Sequence, residues 1–346
     1  MKVGRISGID VAFVLAMPLL IYISTFLELG QRSETFIRDQ FHILYDGSVA
    51  AFLFLSGLAA SLKQNSPAGP RLAQRYLVIR GALFVIIGLI LSFFWPTNLF
   101  VLLGLCSFVL AIVLPFHTTL VFFVIAVMAI YGLFTYFFKE ISTNLIPWEG
   151  FNPKHIAFYF LRDGYYGLTP WLIFMLAGGM YSRTDFLRKR SQKSLIGVGV
   201  FLLIFAFGLE FAIERFTNAG YISKQTTFTD ITFLHLTLPS FLVGAFGFSI
   251  MLLHMAIQLN DRMEVHPAMS LIRKVGRIKY TALVLYCFGG MAAGLFISGP
   301  EIFGIRNIIL LSFLLVAGIF VFTHFWLKRF DTGPVEMVMN VFNKRR

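Results

Sequence analysis

His42 and Asp46 lie four residues apart. On a helix that spacing puts both on one face. An imidazole beside a carboxylate can act as a general base toward a hydroxyl group, because its pKa lies near neutrality and the carboxylate fixes its tautomer. The blander reading is a capped, hydrated helix end. Directly after the pair the chain becomes almost wholly apolar, VAAFLFLSGLAASL from Val49 to Leu62. The pair therefore stands at the mouth of a membrane helix.

Two further groups of polar residues stand near apolar runs. Asp163 and Tyr165 precede one run (RDGYYGLTPW), and His235 opens another (TFLHLTLPSF). They are candidates for holding an acceptor, or else interfacial anchors at headgroup level. Asp10, Arg80, Arg277 and Lys279 form the other group, each near one end of an apolar run. Ionisable residues at membrane depth are costly, so each prompts a functional question. Here they read as a site for an anionic cofactor in which Asp10 orients an arginine, or as a salt-bridge cluster tying three spans together. His254, late in its run, reads as structural. The sequence has no phosphate-binding glycine loop, no Cys/His metal spacing and no nucleophile elbow.

The elements that must position these residues are membrane helices. The 346-residue chain is 58% hydrophobic and 13% charged. A soluble chain would carry about 25% charged residues. The hydropathy pattern predicts an all-α, polytopic membrane protein of about ten spans, near 9–28, 45–62, 77–95, 98–116, 118–137, 167–182, 194–214, 232–257, 278–298 and 306–327. The first run is long and has no small-x-small cleavage site after it, so it reads as a retained span. Segment 63–76 (KQNSPAGPRLAQRY) reads as a flexible loop. With the N-terminus inside, 21 of the 29 Lys and Arg residues fall on the cytoplasmic side. That asymmetry places both termini in the cytoplasm. It also accounts for the net charge of +12 without nucleic acid, because the excess is spread over several loops. Cys106 and Cys287 lie inside apolar runs and read as packing residues. The whole chain, 1–346, reads as one domain.

Several stretches together resemble a known superfamily. RISGIDVAFVLAM is similar to the opening of multi-span bacterial acyltransferase-like proteins, and AFLFLSGLAASL to their second span. RYLVIRGALFVIIGLIL, NLFVLLGLCSFVLAIVL and GLTPWLIFMLAGGMYSR resemble their third, fourth and Pro-Trp spans. VGRIKYTALVLY resembles their Gly-Arg-x-x-x-Thr-x-Tyr signature, and FWLKRFDTGPVEMVMN the Gly-Pro-x-Glu ending of the YeiB-like membrane proteins. The resemblance covers nearly the whole chain. It implies a transmembrane acyltransferase superfamily that includes heparan-alpha-glucosaminide N-acetyltransferases and bacterial membrane O-acyltransferases.

By that resemblance an acyl group passes from a cytoplasmic acyl-CoA, acetyl-CoA above all, to a glycan or lipid acceptor outside, with no metal. Lipids are the expected surroundings, and either a homodimer or a subunit of a larger membrane complex fits. The implied localisation is the bacterial cytoplasmic (inner) membrane. Phe13 and Val14 stand where the family usually has Arg and Gly, Ser24 where catalytic members often have His, and Gly289 where a His often lies. Asp10, Arg80, Gly276, Arg277, Gly333, Pro334 and Glu336 are retained. The scaffold is thus kept while the polar line of the first span is altered. Two readings follow: an acyltransferase with His42 as base, or a catalytically degenerate relative acting as a transporter or as a membrane subunit binding a lipid, pigment or partner.

Overall fold

The computed structural model describes residues 4–29, 35–64, 69–92, 99–137, 168–183, 192–218, 238–263, 266–296 and 305–344. These residues form twelve helices and no strand: α1 (Gly4–Leu29), α2 (Thr35–Gln64), α3 (Gly69–Ser92), α4 (Phe100–Val113), α5 (Thr118–Phe137), α6 (Leu168–Tyr181), α7 (Gln192–Asn218), α8 (Leu238–Arg262), α9 (Pro267–Arg277), α10 (Lys279–Phe296), α11 (Ile305–Trp326) and α12 (Pro334–Lys344).

α2 is the centre of the bundle. A helix that is apolar on every side is stable only when surrounded, and α2 packs against α1, α3, α4, α6 and α8. Val49, Phe52, Phe54 and Leu58 are buried, as are Ser48 and Ser56. Its contact with α6 is backbone to backbone. A Cβ at Gly57 would collide with the Met175 carbonyl, and one at Gly178 with the Phe54 carbonyl. Small residues at such crossings let membrane helices approach closely.

Contacts along the helices show which ends lie together. Gly8, early in α1, meets Ile257, late in α8. Gln74, early in α3, donates to the Ala111 carbonyl late in α4 at 3.1 Å. Arg183, just after α6, donates to the Phe116 carbonyl beyond α4 at 2.7 Å and to the Leu114 carbonyl. One end of the bundle therefore gathers the starts of α1 and α3 and the ends of α4, α6 and α8. Short helices α9 and α12 lie there too, α9 against α1 and α12 against α3. Arg71, Arg75, Lys274, Arg277, Lys328 and Arg329 are all exposed in these segments, which we call the basic end.

Beyond the basic end, the described helices expose many apolar side chains. Ile86, Leu89 and Ile90 on α3, Phe122, Phe123 and Ile130 on α5, and Leu310, Phe313 and Leu314 on α11 are exposed. α7 packs chiefly on α8 and exposes Phe201, Ile204, Phe205, Phe207 and Phe211. Hydrocarbon, not water, suits such a surface. Among the described residues, three helical stretches are long and apolar enough to cross a membrane: Arg71–Leu91, Ser194–Ile213 and Pro239–Arg262. Shorter apolar stretches are Gly8–Pro18, Gly47–Leu62, Phe100–Val113, Thr118–Ile130, Trp171–Tyr181 and Leu310–Trp326. The chain is a membrane protein whose described residues form helices and no strand.

Two expectations change. Segment 63–76 is not a loop throughout, because α3 begins at Gly69 and includes Pro70. Proline breaks a helix interior but fits the first turn, where its missing N–H is no loss. Helices α9 and α12 were not among the expected elements. α9 buries Met269, Val275 and Gly276 while Lys274 and Arg277 are exposed and Arg273 donates to Asn260 of α8, and His266 caps its start by accepting from the Ala268 N–H.

Candidate functional site at the basic end

Asp10, Arg80 and Lys279 converge at the basic end. α1 supplies Asp10, and α9 crosses it so closely that Gly276 has no room for a Cβ beside the Asp10 backbone. The next helix then starts at Lys279, whose Nζ lies 3.4 Å from Asp10 Oδ1. Both side chains keep some access, at 14% and 17% exposure. The Lys279 ammonium also sits 4.2 Å from the centroid of the Phe13 ring, a cation–π contact. Asp10 thus pairs with a lysine among the described residues, where the sequence pointed to an arginine.

Arg80 lies deeper, at 1% exposure. Its Nε and Nη2 donate to Ser107 Oγ at 3.0 and 2.9 Å, and its Nη1 donates to the Tyr280 hydroxyl at 2.9 Å. Ser107 in turn donates to the Leu103 carbonyl of its own helix. The guanidinium therefore joins α3, α4 and α10. A buried cation needs such hydrogen bonds to offset the loss of hydration. Arg277 is exposed at the end of α9.

Aromatic rings cover the site on the side away from the basic end. Phe84, one turn beyond Arg80, packs edge-on to Tyr280 at 4.9 Å and to Phe100 at 5.6 Å. Phe13 packs against Phe52 at 5.0 Å. The altered first-span positions belong to this layer: Phe13 is 0% and Val14 5% exposed.

The tail closes the cluster from outside. Glu336 accepts hydrogen bonds from the Tyr280 and Thr281 N–H groups and from the Thr281 hydroxyl. A carboxylate at a helix start satisfies donors that the helix cannot. Burial pushes its pKa up, opposed by the Thr281 hydroxyl and the backbone N–H groups.

The outer candidates fall differently. His42 and Asp46 stand in α2 at the expected one-turn spacing, but their side chains lie outside the described residues. Asp163, Tyr165 and His235 also lie outside the described residues. His254 is fully buried, and its Nε2 meets the Tyr181 hydroxyl at 2.8 Å, joining α8 to α6. Sequence reasoning assigned no role to Ser107, Tyr280, Thr281 or Glu336. The signal was present for three of them. Tyr280 and Thr281 sit within the Gly-Arg-x-x-x-Thr signature, and Glu336 ends the Gly-Pro-x-Glu tail. Among the described residues, no group of His, Cys, Asp and Glu could hold a metal ion.

Comparison with known families places this helical membrane bundle in the transmembrane acyltransferase-like class. Residues 5–208, more than half of the chain, match the family described as heparan-alpha-glucosaminide N-acetyltransferase, catalytic, and the chain belongs to that family. Residues 182–344 match a family described as a protein of unknown function (DUF418), the YeiB-like group. No curated protein and no solved structure matches the chain. The chain is an acyltransferase-like membrane protein.

Proposed function

We propose that this protein transfers an acyl group, acetyl above all, from a cytoplasmic acyl-CoA to a sugar or lipid acceptor on the opposite side of a bacterial inner membrane. The observation that carries the reading is the Asp10–Lys279 pair at the mouth, with Arg80 and Tyr280 behind it. Lys279 and exposed Arg277 are placed to meet the donor's phosphates by charge-assisted hydrogen bonds. Asp10 holds Lys279 in place. Arg80 supports the site through Tyr280 from a buried position. The ten longer helices then serve as ten spans, with the basic end and both termini in the cytoplasm.

At the far end, His42 takes the proton of the acceptor hydroxyl or amine while Asp46 fixes its tautomer. Asp163, Tyr165 and His235 hold the acceptor. The acceptor atom bonds to the acyl carbon, the thioester C–S bond breaks, and the proton taken by His42 passes to the departing thiolate, so that CoA leaves as the thiol. The match to a family named for acetyl transfer to a glucosaminide supports this class of reaction.

One observation favours a second reading, a degenerate relative that transports, or binds a lipid, pigment or partner. The first span is apolar at Phe13 and Val14, and a layer of rings lies behind the basic mouth, on the side toward the far end. Purification of the full chain in nanodiscs separates the two. Under the acyltransferase reading the protein binds acetyl-CoA in calorimetry, and Lys279→Gln weakens binding about tenfold. His42→Ala and Asp46→Asn then abolish acylation of cell glycans or lipids. A stoichiometric lipid or partner with no acetyl-CoA binding overturns this reading, and unchanged acylation removes His42 from the mechanism.

A further inference from the structure

The tail motif Gly333–Pro334–Val335–Glu336 has no part in the reaction above, yet it is bonded into the start of α10. Glu336 Oε1 accepts from the Tyr280 N–H at 2.8 Å and from the Thr281 N–H at 3.3 Å. Glu336 Oε2 accepts from the Thr281 hydroxyl at 2.6 Å. Thr281 Oγ1 in turn accepts from the Val335 N–H at 3.1 Å. The first turn of each helix therefore satisfies donors in the first turn of the other. Pro334 opens α12 where an N–H is not needed. Gly333 is required by space: a Cβ there would strike both Glu336 Oε2 and Thr281 Oγ1 and lie 2.9 Å from Ile278 Cβ.

These bonds land on particular residues. Tyr280, held by its N–H, carries the hydroxyl that accepts from Arg80. Lys279, one residue earlier, carries the ammonium beside Asp10. Ile278 is a break in the helix between α9 and α10, with φ −109° and ψ 29°. At such a break the helix axis alone does not set where the next two side chains go. We propose that Glu336 is a positioning residue: the C-terminal helix α12 fixes Lys279 and Tyr280, and through Tyr280 the guanidinium of Arg80, in the arrangement that receives the anionic donor. The proposal rests on the reading of Lys279 as a phosphate-binding residue. It assigns to the tail motif the geometry of a site far away in sequence.

The test uses the full chain in nanodiscs and reads Lys279 directly, by the rate of amine labelling followed by mass spectrometry. Lys279 is mostly covered by Asp10 and Phe13 in the intact arrangement. Glu336→Gln and Thr281→Val are expected to raise its labelling rate about threefold or more, as local order at the α10 start is lost. Thr281→Ser keeps the hydroxyl and is expected to restore the original rate. Arg183→Ala, which loosens the turn after α4 instead, is the control for general weakening. Labelling in folded Glu336→Gln that stays within about twofold of the original overturns the proposal, and so does an equal rise in Arg183→Ala. Acetyl-CoA binding is measured on the same samples. If Lys279 labelling rises as expected while Lys279→Gln leaves acetyl-CoA binding unchanged, the positioning role stands and the donor reading falls. If Lys279→Gln weakens binding but Glu336→Gln changes neither labelling nor binding, the donor reading stands and the positioning role falls.

Discussion

Arg80 offers the sharpest test of how this bundle is held together. Two single changes and their combination, Arg80→Met and Tyr280→Phe, form a double-mutant cycle. Arg80→Met removes a buried charge, whose desolvation costs several kcal/mol in real proteins. It also leaves the buried Tyr280 hydroxyl without the guanidinium, at about 1–3 kcal/mol. Ser107 keeps its own bond to the Leu103 carbonyl and is not orphaned. Tyr280→Phe leaves a guanidinium N–H unpaired, at about 1.5–3 kcal/mol for a charged donor. The double variant has neither orphan. The coupling energy is therefore expected to be about 1–2 kcal/mol, since membrane bundles give smaller values than water-soluble cores. Reversible unfolding in mixed micelles measures all four proteins. Additivity within about 0.4 kcal/mol would show that the 2.9 Å bond between Arg80 and Tyr280 does not hold α3 to α10. A further expectation separates charge from shape. Arg80→Lys retains the charge but loses the fork that reaches Ser107 and Tyr280 together, so it is expected to be less stable than Arg80→Met.

Glycine substitutions should divide sharply by location. Gly57→Ala and Gly178→Ala force α2 and α6 apart and are expected to cost more than about 3 kcal/mol in detergent unfolding, whereas Gly197→Ala and Gly208→Ala meet open space and should be neutral or stabilising by up to about 1 kcal/mol. Equal effects at the two pairs would refute the close α2–α6 crossing. The pH dependence should carry the mark of Glu336. Its pKa is raised by burial, so its contribution to stability is full below the unfolded value of 4.5 and is lost as pH rises through the higher folded value. Glu336→Gln should remove that part of the fall in Tm with rising pH. An unchanged Tm-versus-pH curve would contradict the raised pKa.

Much of the architecture is legible from residue types. An apolar run too long and too uniform for a half-buried helix must lie in a protein core or in hydrocarbon, and the packed bundle encloses α2 with other helices. Charges at helix mouths are costly enough that Asp10, Arg80 and Lys279 stand out as needing partners. That cost says a partner exists without saying which. Asp10 lies 269 residues from Lys279, and Arg80 lies 200 from Tyr280. Any carboxylate, hydroxyl or carbonyl brought near would satisfy the same donors, so hydropathy and spacing cannot choose among them. The choice is made by helix crossings. Gly276 lets α9 pass against Asp10, and the break at Ile278 then sends Lys279 to the Asp10 carboxylate and Tyr280 to Arg80. The tail shows the same division. Its Pro and Gly mark a helix start in the sequence, but that Glu336 caps a different helix, 55 residues upstream at Thr281, arises from packing. The amino-acid pattern settles that the chain forms apolar helices suited to a membrane and which side chains need a partner, because transfer energies are local. Which partners they find depends on where the chain crosses itself, and only the packed bundle holds that information.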